Sequence, residues 1–247
     1  MSGTADHTAK ALEMKDALLD AYDPEAVILF GSLARGDGDE FSDVDLLVVM
    51  DTERDAKSLS EEMSRYLDSL ARDKHVIVRT PREFCRQGDI PGTLAFSAEK
   101  EGRVLFEKPG WRSRHKPADG YSARKQEVIH QGYIKEAEDF LCQAGLSLEG
   151  GHFFRCRDFA RFAGARALKG LFVKHDMQPP RETDLVELLE KAGTLEPDLA
   201  VHASFLRELN EYCPVGRDAL EISRGRSMVQ RTTTFVKEIA DKCSTAP

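Results

Sequence analysis

Gly31 to Val49, GSLARGDGDEFSDVDLLVV, decides how the first half of this 247-residue chain folds. An apolar run, AVILF (Ala26 to Phe30), leads into the Gly31-Ser32 step, and a second apolar run, LLVV, ends the stretch. Both runs are too short for buried helices and rich in aliphatic residues, so each reads as a strand with a glycine-serine turn after the first. Asp43, eleven residues past Ser32, and Asp45 stand at the mouth of the second strand. Residues two apart on a strand point to one face, so the two carboxylates leave the sheet together, opposite the turn. Two hard oxygen ligands suit Mg²⁺, and a glycine turn offers backbone N–H groups to phosphate. The pattern describes a site for a metal-bound nucleoside triphosphate.

Working outward, residues 8–22 place Ala11, Met14, Leu18 and Tyr22 at helical spacing, with Pro24 as the stop. The charged stretch from Asp51 to Arg72 carries Leu59, Met63, Tyr66, Leu67 and Leu70 on one helical face, and HVIV (His75 to Val78) is a third strand. RVLFE (Arg103 to Glu107) is a fourth, giving an α/β (α+β) domain with a small mixed sheet over residues 1–107. Residues 108–122, KPGWRSRHKPADGYS, are rich in proline, glycine and charge and read as a linker. Beyond them the strand signals cease. Residues 127–146, 152–174, 184–192, 199–212 and 219–240 all have helical periodicity, so 123–247 is an all-α bundle.

Composition sets outer bounds. With 41% hydrophobic and 32% charged residues the chain is an ordinary globular protein, and no stretch approaches the roughly 20 apolar residues of a membrane span. The N-terminal residues lack the layout of a secretory signal. Five widely spaced cysteines without a C-x-x-C pair argue against a disulfide framework or a zinc knuckle, which together points to a cytoplasmic protein. Residues 1–110 hold 14 Lys+Arg against 23 Asp+Glu, a net −9, whereas 111–247 hold 21 against 20, a net +1. The acidic first half suits a metal or a cationic substrate better than nucleic acid, which the second half does not exclude.

In nucleotidyl transfer an acceptor oxygen attacks the α-phosphorus of a triphosphate in line and pyrophosphate leaves, with two metal ions clamping the attacking and leaving oxygens. Asp43 and Asp45 are the candidate metal ligands, Gly31 lets backbone approach the triphosphate, Ser32 can donate to a phosphate oxygen, and Arg35 can neutralise phosphate or fix the turn. Strand, Gly-Ser step and Asp-x-Asp closely resemble the DNA polymerase β-type nucleotidyltransferase superfamily, above all its minimal nucleotidyltransferases. The resemblance continues through VRTPREF (Val78 to Phe84) and GTLAFSAEKEGRVLFEK (Gly92 to Lys108), covering nearly all of residues 25–108. It implies Mg²⁺ as cofactor and an NTP, ATP foremost, as substrate. One position departs. Where the family has a third carboxylate, a metal ligand or general base, this chain has His75, with Asp73 nearby. Histidine serves as a base near neutral pH but is a weaker Mg²⁺ ligand than carboxylate.

The second half resembles the HEPN domain from about Tyr133 to Gly216. The match includes FAGARALKGLFVKH (Phe162 to His175), Pro179-Pro180, ETDLVELLEKAG (Glu182 to Gly193) and LRELNEYCPVGRD (Leu206 to Asp218). Ala163, Gly164, Ala165 and Ala167 let a neighbouring helix pack closely. Some HEPN domains are ribonucleases that use an arginine and a histidine a few residues later. Arg217 holds the arginine position here, but no histidine occurs between Asp218 and Arg226, and the step that commonly reads Thr-His-Asp is Glu182-Thr183-Asp184. Metal-independent RNA cleavage is disfavoured. Arg155, Arg157, Arg161 and Arg166 form one basic run and Arg224, Arg226 and Arg231 another; the reading favours solvated or ion-paired groups over a phosphate site. Cys142, Cys156 and Cys213 read as core residues, and Trp111 as a residue docking the linker onto a domain.

The expected activity is NMP transfer from Mg²⁺–NTP to a hydroxyl of a protein or small molecule. The bundle, by resemblance, closes over the nucleotide, receives the acceptor or forms a homodimer. Two alternatives stand beside it. One is a catalytically impaired nucleotide-binding regulatory module of toxin–antitoxin origin, favoured by His75; the other is an aminoglycoside-type nucleotidyltransferase, suggested by the acidic first half.

Overall fold

A computed structural model of the chain describes residues 3–39, 41–71, 73–117, 119–214 and 219–245, with side chains from residue 8 onward. The chain divides into two compact units, Met1–Gly120 and Tyr121–Pro247.

The first unit runs α1 (Gly3–Ala21), β1 (Ala26–Phe30), α2 (Gly31–Arg35), β2 (Val44–Val49), α3 (Ala56–Tyr66), β3 (Lys74–Arg79), α4 (Pro81–Gln87), α5 (Leu94–Glu101), β4 (Arg103–Glu107) and α6 (Trp111–Arg114). The sheet order is β3-β2-β1-β4, with β1 antiparallel to both neighbours and β2 parallel to β3. It is the small mixed sheet expected. A parallel pair needs a crossover, and α3 supplies it. Where the sequence reads a Gly-Ser turn, the chain forms one short helix, α2. It ends when Gly36 adopts φ +83° and donates its N–H to the Ser32 carbonyl at 3.0 Å, the usual left-handed helix stop.

Side-chain alternation separates two cores. On one face Val27, Leu29, Leu46, Val48, Val76 and Val78 pack with Met14 and Leu18 of α1 and Leu59 and Met63 of α3. On the other, Ala26, Ile28, Leu47 and Val49 meet Phe84 of α4, Ala95 and Ala98 of α5, and Trp111. Phe30, Asp45 and His75 lie abreast across β1, β2 and β3. By parity they belong to the second face, at one end of the sheet. This register positions the site.

The stretch 108–122, read as a linker, carries structure of its own. Trp111 is fully buried, its ring 5.4 Å from that of Phe84, and its indole N–H donates to Glu107 at 2.8 Å. Arg112 covers the indole at 4.8 Å, and Lys108 and Arg114 pair with Asp23 and Glu25. Charges that look like linker solubility are here the clamps of a docked segment.

Every described element of the second unit is helical: α7 (Tyr121–Ile129), a π-helical turn (His130–Ile134), α8 (Lys135–Glu149), α9 (Phe153–Lys174), α10 (Leu185–Gly193), a 3₁₀ segment (Pro197–His202), α11 (Ala203–Glu211) and α12 (Ala219–Ser244). The central helix is α9. A Cβ on Gly164 would stand 3.2 Å from Leu185 of α10, and one on Gly170 would stand 3.2 Å from Tyr133. The small residues therefore set how closely α10 and the π turn approach. Arg166 donates to the Gly132 carbonyl at 2.9 Å and lies 4.2 Å over the Tyr133 ring, satisfying a carbonyl within the wide turn. Asp184 caps α10 by accepting from the N–H groups of Val186 and Glu187. Two cysteine expectations are corrected. Cys156 is buried, but Cys142 and Cys213 are exposed: the first lies on the outer side of α8, and the second follows the end of α11. Apolar neighbours in sequence do not fix which way a helical side chain faces.

Trp111 is the single tryptophan of the chain, so its fluorescence reports on the first unit. We expect native emission blue-shifted and protected from acrylamide, red-shifting when that unit unfolds. Trp111→Ala should cost about 3–5 kcal/mol in denaturant titrations followed by circular dichroism.

Candidate active site

Gly31 leaves β1 with φ +75°, a conformation costly to any residue bearing a Cβ. Space imposes a second demand. A Cβ there would lie 2.1 Å from Asp45 Oδ2 and 3.0 Å from its carboxyl carbon. Phe30 is the ladder partner of Asp45, so the next residue, at the end of β1, meets the Asp45 side chain directly. The backbone of Gly31 and the carboxylate of Asp45 are thus in contact by construction.

Asp45 on β2 and Asp43, one residue before that strand, both approach the same imidazole. His75, the partner of Asp45 across the parallel pair, turns Nδ1 to both: 3.1 Å from Asp45 Oδ1 and 3.7 Å from Asp43 Oδ2. The Asp45 side chain retains only 21% of its exposure, against 42% for Asp43 and 67% for His75. Asp73 lies one residue before β3 and is exposed; its backbone carbonyl accepts from the Val44 N–H at 3.1 Å. His75, rather than Asp73, is the residue whose side chain meets the aspartates.

Arg35, at the end of α2, is held between two acids. Its Nε lies 3.2 Å from Asp37 and its Nη1 lies 3.6 Å from Glu101 of α5. Glu101 had no signal in the sequence, being 66 positions from Arg35 and brought near only by the packing of α5 beside the sheet. Ser32 is half-buried on the first turn of α2, and its carbonyl accepts from Gly36 and Asp37. Asp43 ends a loop that folds on itself: Asp39 accepts from the Phe41 N–H and the Ser42 hydroxyl.

Burial pushes the Asp45 carboxyl above the ordinary aspartate range. The His75 hydrogen bond and charge pull it down, Asp43 pushes it up again, and Arg35 pulls it down slightly. The first effect prevails: an ionised Asp45 is only partly compensated in the protein alone. Among the described residues no three His, Cys, Asp or Glu side chains form a ready metal cage. The donor set still fits a hard divalent cation, since Mg²⁺ is typically bound through one or two carboxylates, with water and substrate phosphates completing its shell. The poorly compensated charge on Asp45 and the close backbone of Gly31 are the observations that support the fit.

The basic runs of the helical unit are largely engaged. Arg157 bonds Asp158 and the Tyr212 carbonyl, Arg161 bonds Asn210, Arg166 pairs with Glu136, Arg224 with Glu221 and Arg231 with Glu208. Arg155 and Arg226 are exposed. Arg217, the arginine of the HEPN resemblance, lies outside the described residues. A cavity of about 250 Å³ opens between α11 and α12, lined by Phe205, Leu209 and Met228 together with Arg224, Arg231 and Glu208. No described helix is long and apolar enough to cross a membrane.

Comparison with known families agrees with both halves. Residues 12–105 match the nucleotidyltransferase domain and residues 130–244 match the HEPN domain. No curated protein matches the chain. The chain is a nucleotidyltransferase domain followed by a HEPN domain.

The raised Asp45 pKa has a thermodynamic consequence. Protonated Asp45 favours the fold below the ordinary aspartate pKa of about 3.9, and that contribution is lost as pH rises through the folded-state value. In metal-free buffer Asp45→Asn should therefore melt above the parent at pH 7, with the difference closing as pH falls toward 4. Thermal unfolding in EDTA across that range checks it.

Proposed function

We propose, from a nucleotidyltransferase domain joined to a HEPN domain, that this chain transfers a nucleoside monophosphate from a metal–NTP, ATP foremost, to a hydroxyl of a protein or small molecule. One observation carries the reading: Asp43 and Asp45 converge on a single imidazole while the backbone of Gly31 abuts Asp45. Two carboxylates and a Cβ-free stretch of main chain at one sheet end are what a cation-bridged polyphosphate requires.

In this reading Asp43 and Asp45 hold one or two Mg²⁺ ions. Bound there, the cation supplies charge neutralisation at the α-phosphoryl group and at the departing pyrophosphate. Gly31 allows the triphosphate to approach main chain, and Ser32 donates to a phosphate oxygen. Arg35 exchanges its contacts with Asp37 and Glu101 for phosphate charge. The acceptor oxygen forms its bond to the α-phosphorus as the bond to the β-bridging oxygen breaks, and the hydroxyl proton passes to solvent. The protein's contribution is chiefly position and electrostatics. The HEPN unit would receive the acceptor or pair two chains into a homodimer.

A second reading is favoured by one residue. His75 stands where the resemblance carries a carboxylate, which suits a nucleotide-binding regulatory module of toxin–antitoxin type that does not turn over.

Incubation with α-labelled NTPs and Mg²⁺ separates the two. The transferase reading expects label on the protein or an added hydroxyl acceptor, with at least a hundredfold loss in Asp43→Asn and Asp45→Asn. Binding without label transfer under any acceptor supports the regulatory module.

A further inference from the structure

Between α11 and α12 the helical unit leaves a space. Phe205, Leu209 and Tyr212 recur at helical spacing on α11, and Arg224, Ser227, Met228 and Arg231 do so on α12. These two faces line the cavity of about 250 Å³. Each wall is anchored from another side. A Cβ on Gly225 would stand 2.6 Å from Leu148, so α12 packs tightly against α8. Asn210 of α11 bonds both Arg161 of α9 and Asp184, the cap of α10. That surrounding packing sets the distance between the walls.

The floor is apolar, since Phe205, Leu209 and Met228 are all buried. The mouth is rich in donors. Arg224 gives Nη1 to Glu221 at 3.1 Å, and Arg231 gives Nη1 to Glu208 at 2.7 Å while lying 4.3 Å over the Phe205 ring. Among the described residues each guanidinium thus gives one nitrogen to a carboxylate, although its fork carries five N–H groups. Glu221 is buried and also accepts from the Tyr212 hydroxyl. Glu208 is two-thirds exposed; an ion pair in such a position contributes little, and its carboxylate is free to turn to water. Donors at this mouth outnumber acceptors, which calls for an anion above an apolar body.

We propose that this cavity binds a small organic acid. Its aromatic or aliphatic body rests on Phe205, Leu209 and Met228, and its carboxylate lies between Arg224 and Arg231 beside Ser227, displacing Glu208. The volume falls just below the roughly 300–1,000 Å³ of pockets for drug-sized ligands, which suits a molecule of about ten non-hydrogen atoms. Nothing in this assignment depends on the chemistry of Asp43 and Asp45.

The test uses the full chain and a set of probes sharing one body: phenylpropanoate, phenylpropanol and phenylpropylamine, titrated by saturation-transfer NMR. The parent should bind the acid at least about tenfold more tightly than the alcohol or the amine, because charge-assisted hydrogen bonds to guanidinium are the strong ones. Arg224→Gln/Arg231→Gln, which keeps the side-chain stems, should lose that preference and still bind the alcohol. Ser227→Phe, at an exposed position, fills the space and should lose every probe. Unchanged circular dichroism and melting of the variants exclude misfolding. Equal affinities for acid, alcohol and amine, or an acid preference that survives the double glutamine variant, overturn the proposal. Acid binding unmoved by Ser227→Phe, or absent from the parent, overturns it as well.

Discussion

The antiparallel pairing of β1 with β2 is the constraint on which the site depends. Its register sets Phe30 against Asp45, so the chain leaving β1 must pass the carboxylate at contact distance. Only glycine meets that demand, because the position combines a left-handed backbone with no room for a Cβ. The parallel pairing of β2 with β3 adds the third member by setting His75 beside Asp45. A slip of one residue in the first pairing would turn Asp45 to the opposite face, that of Val27 and Leu29, and a slip in the second would turn His75 away from Asp45. The apolar alternation that builds the two cores thus also holds the chemical groups in place.

Electrostatics at this sheet end run against folding and toward ligand. Asp45 is partly desolvated beside another carboxylate, and the positive groups nearby do not fully compensate it. His75 is exposed, and Arg35 is shared with Asp37 and Glu101. Such uncompensated charge is a common mark of functional sites, and a divalent cation is the partner that would relieve it.

Much of the first unit was legible because its signals are local. AVILF, VDLLVV, KHVIVR and RVLFE become the four strands, with Asp45 on β2 and Asp43 one residue before it. The helices of the second unit follow from periodicity in the same way. What escaped depends on tertiary placement. Charges around Trp111 look like linker composition, yet Glu107, Arg112 and Arg114 dock the segment. Glu101 reaches Arg35 only once α5 has packed. Cys142 and Cys213 have apolar neighbours but face outward, whereas the arginines of α9, read as solvated or ion-paired, do engage Asp158, Asn210 and Glu136. The Gly-Ser turn proved to be a short helix, since helix and turn begin alike over two residues.

Calorimetric titration of Mg²⁺–ATP into the native chain and into Asp43→Asn/Asp45→Asn addresses the central claim most directly. If the two carboxylates hold the cation that bridges protein to polyphosphate, the native chain binds and the double variant, still folded by circular dichroism, does not. Equal affinity in the two proteins would contradict the account.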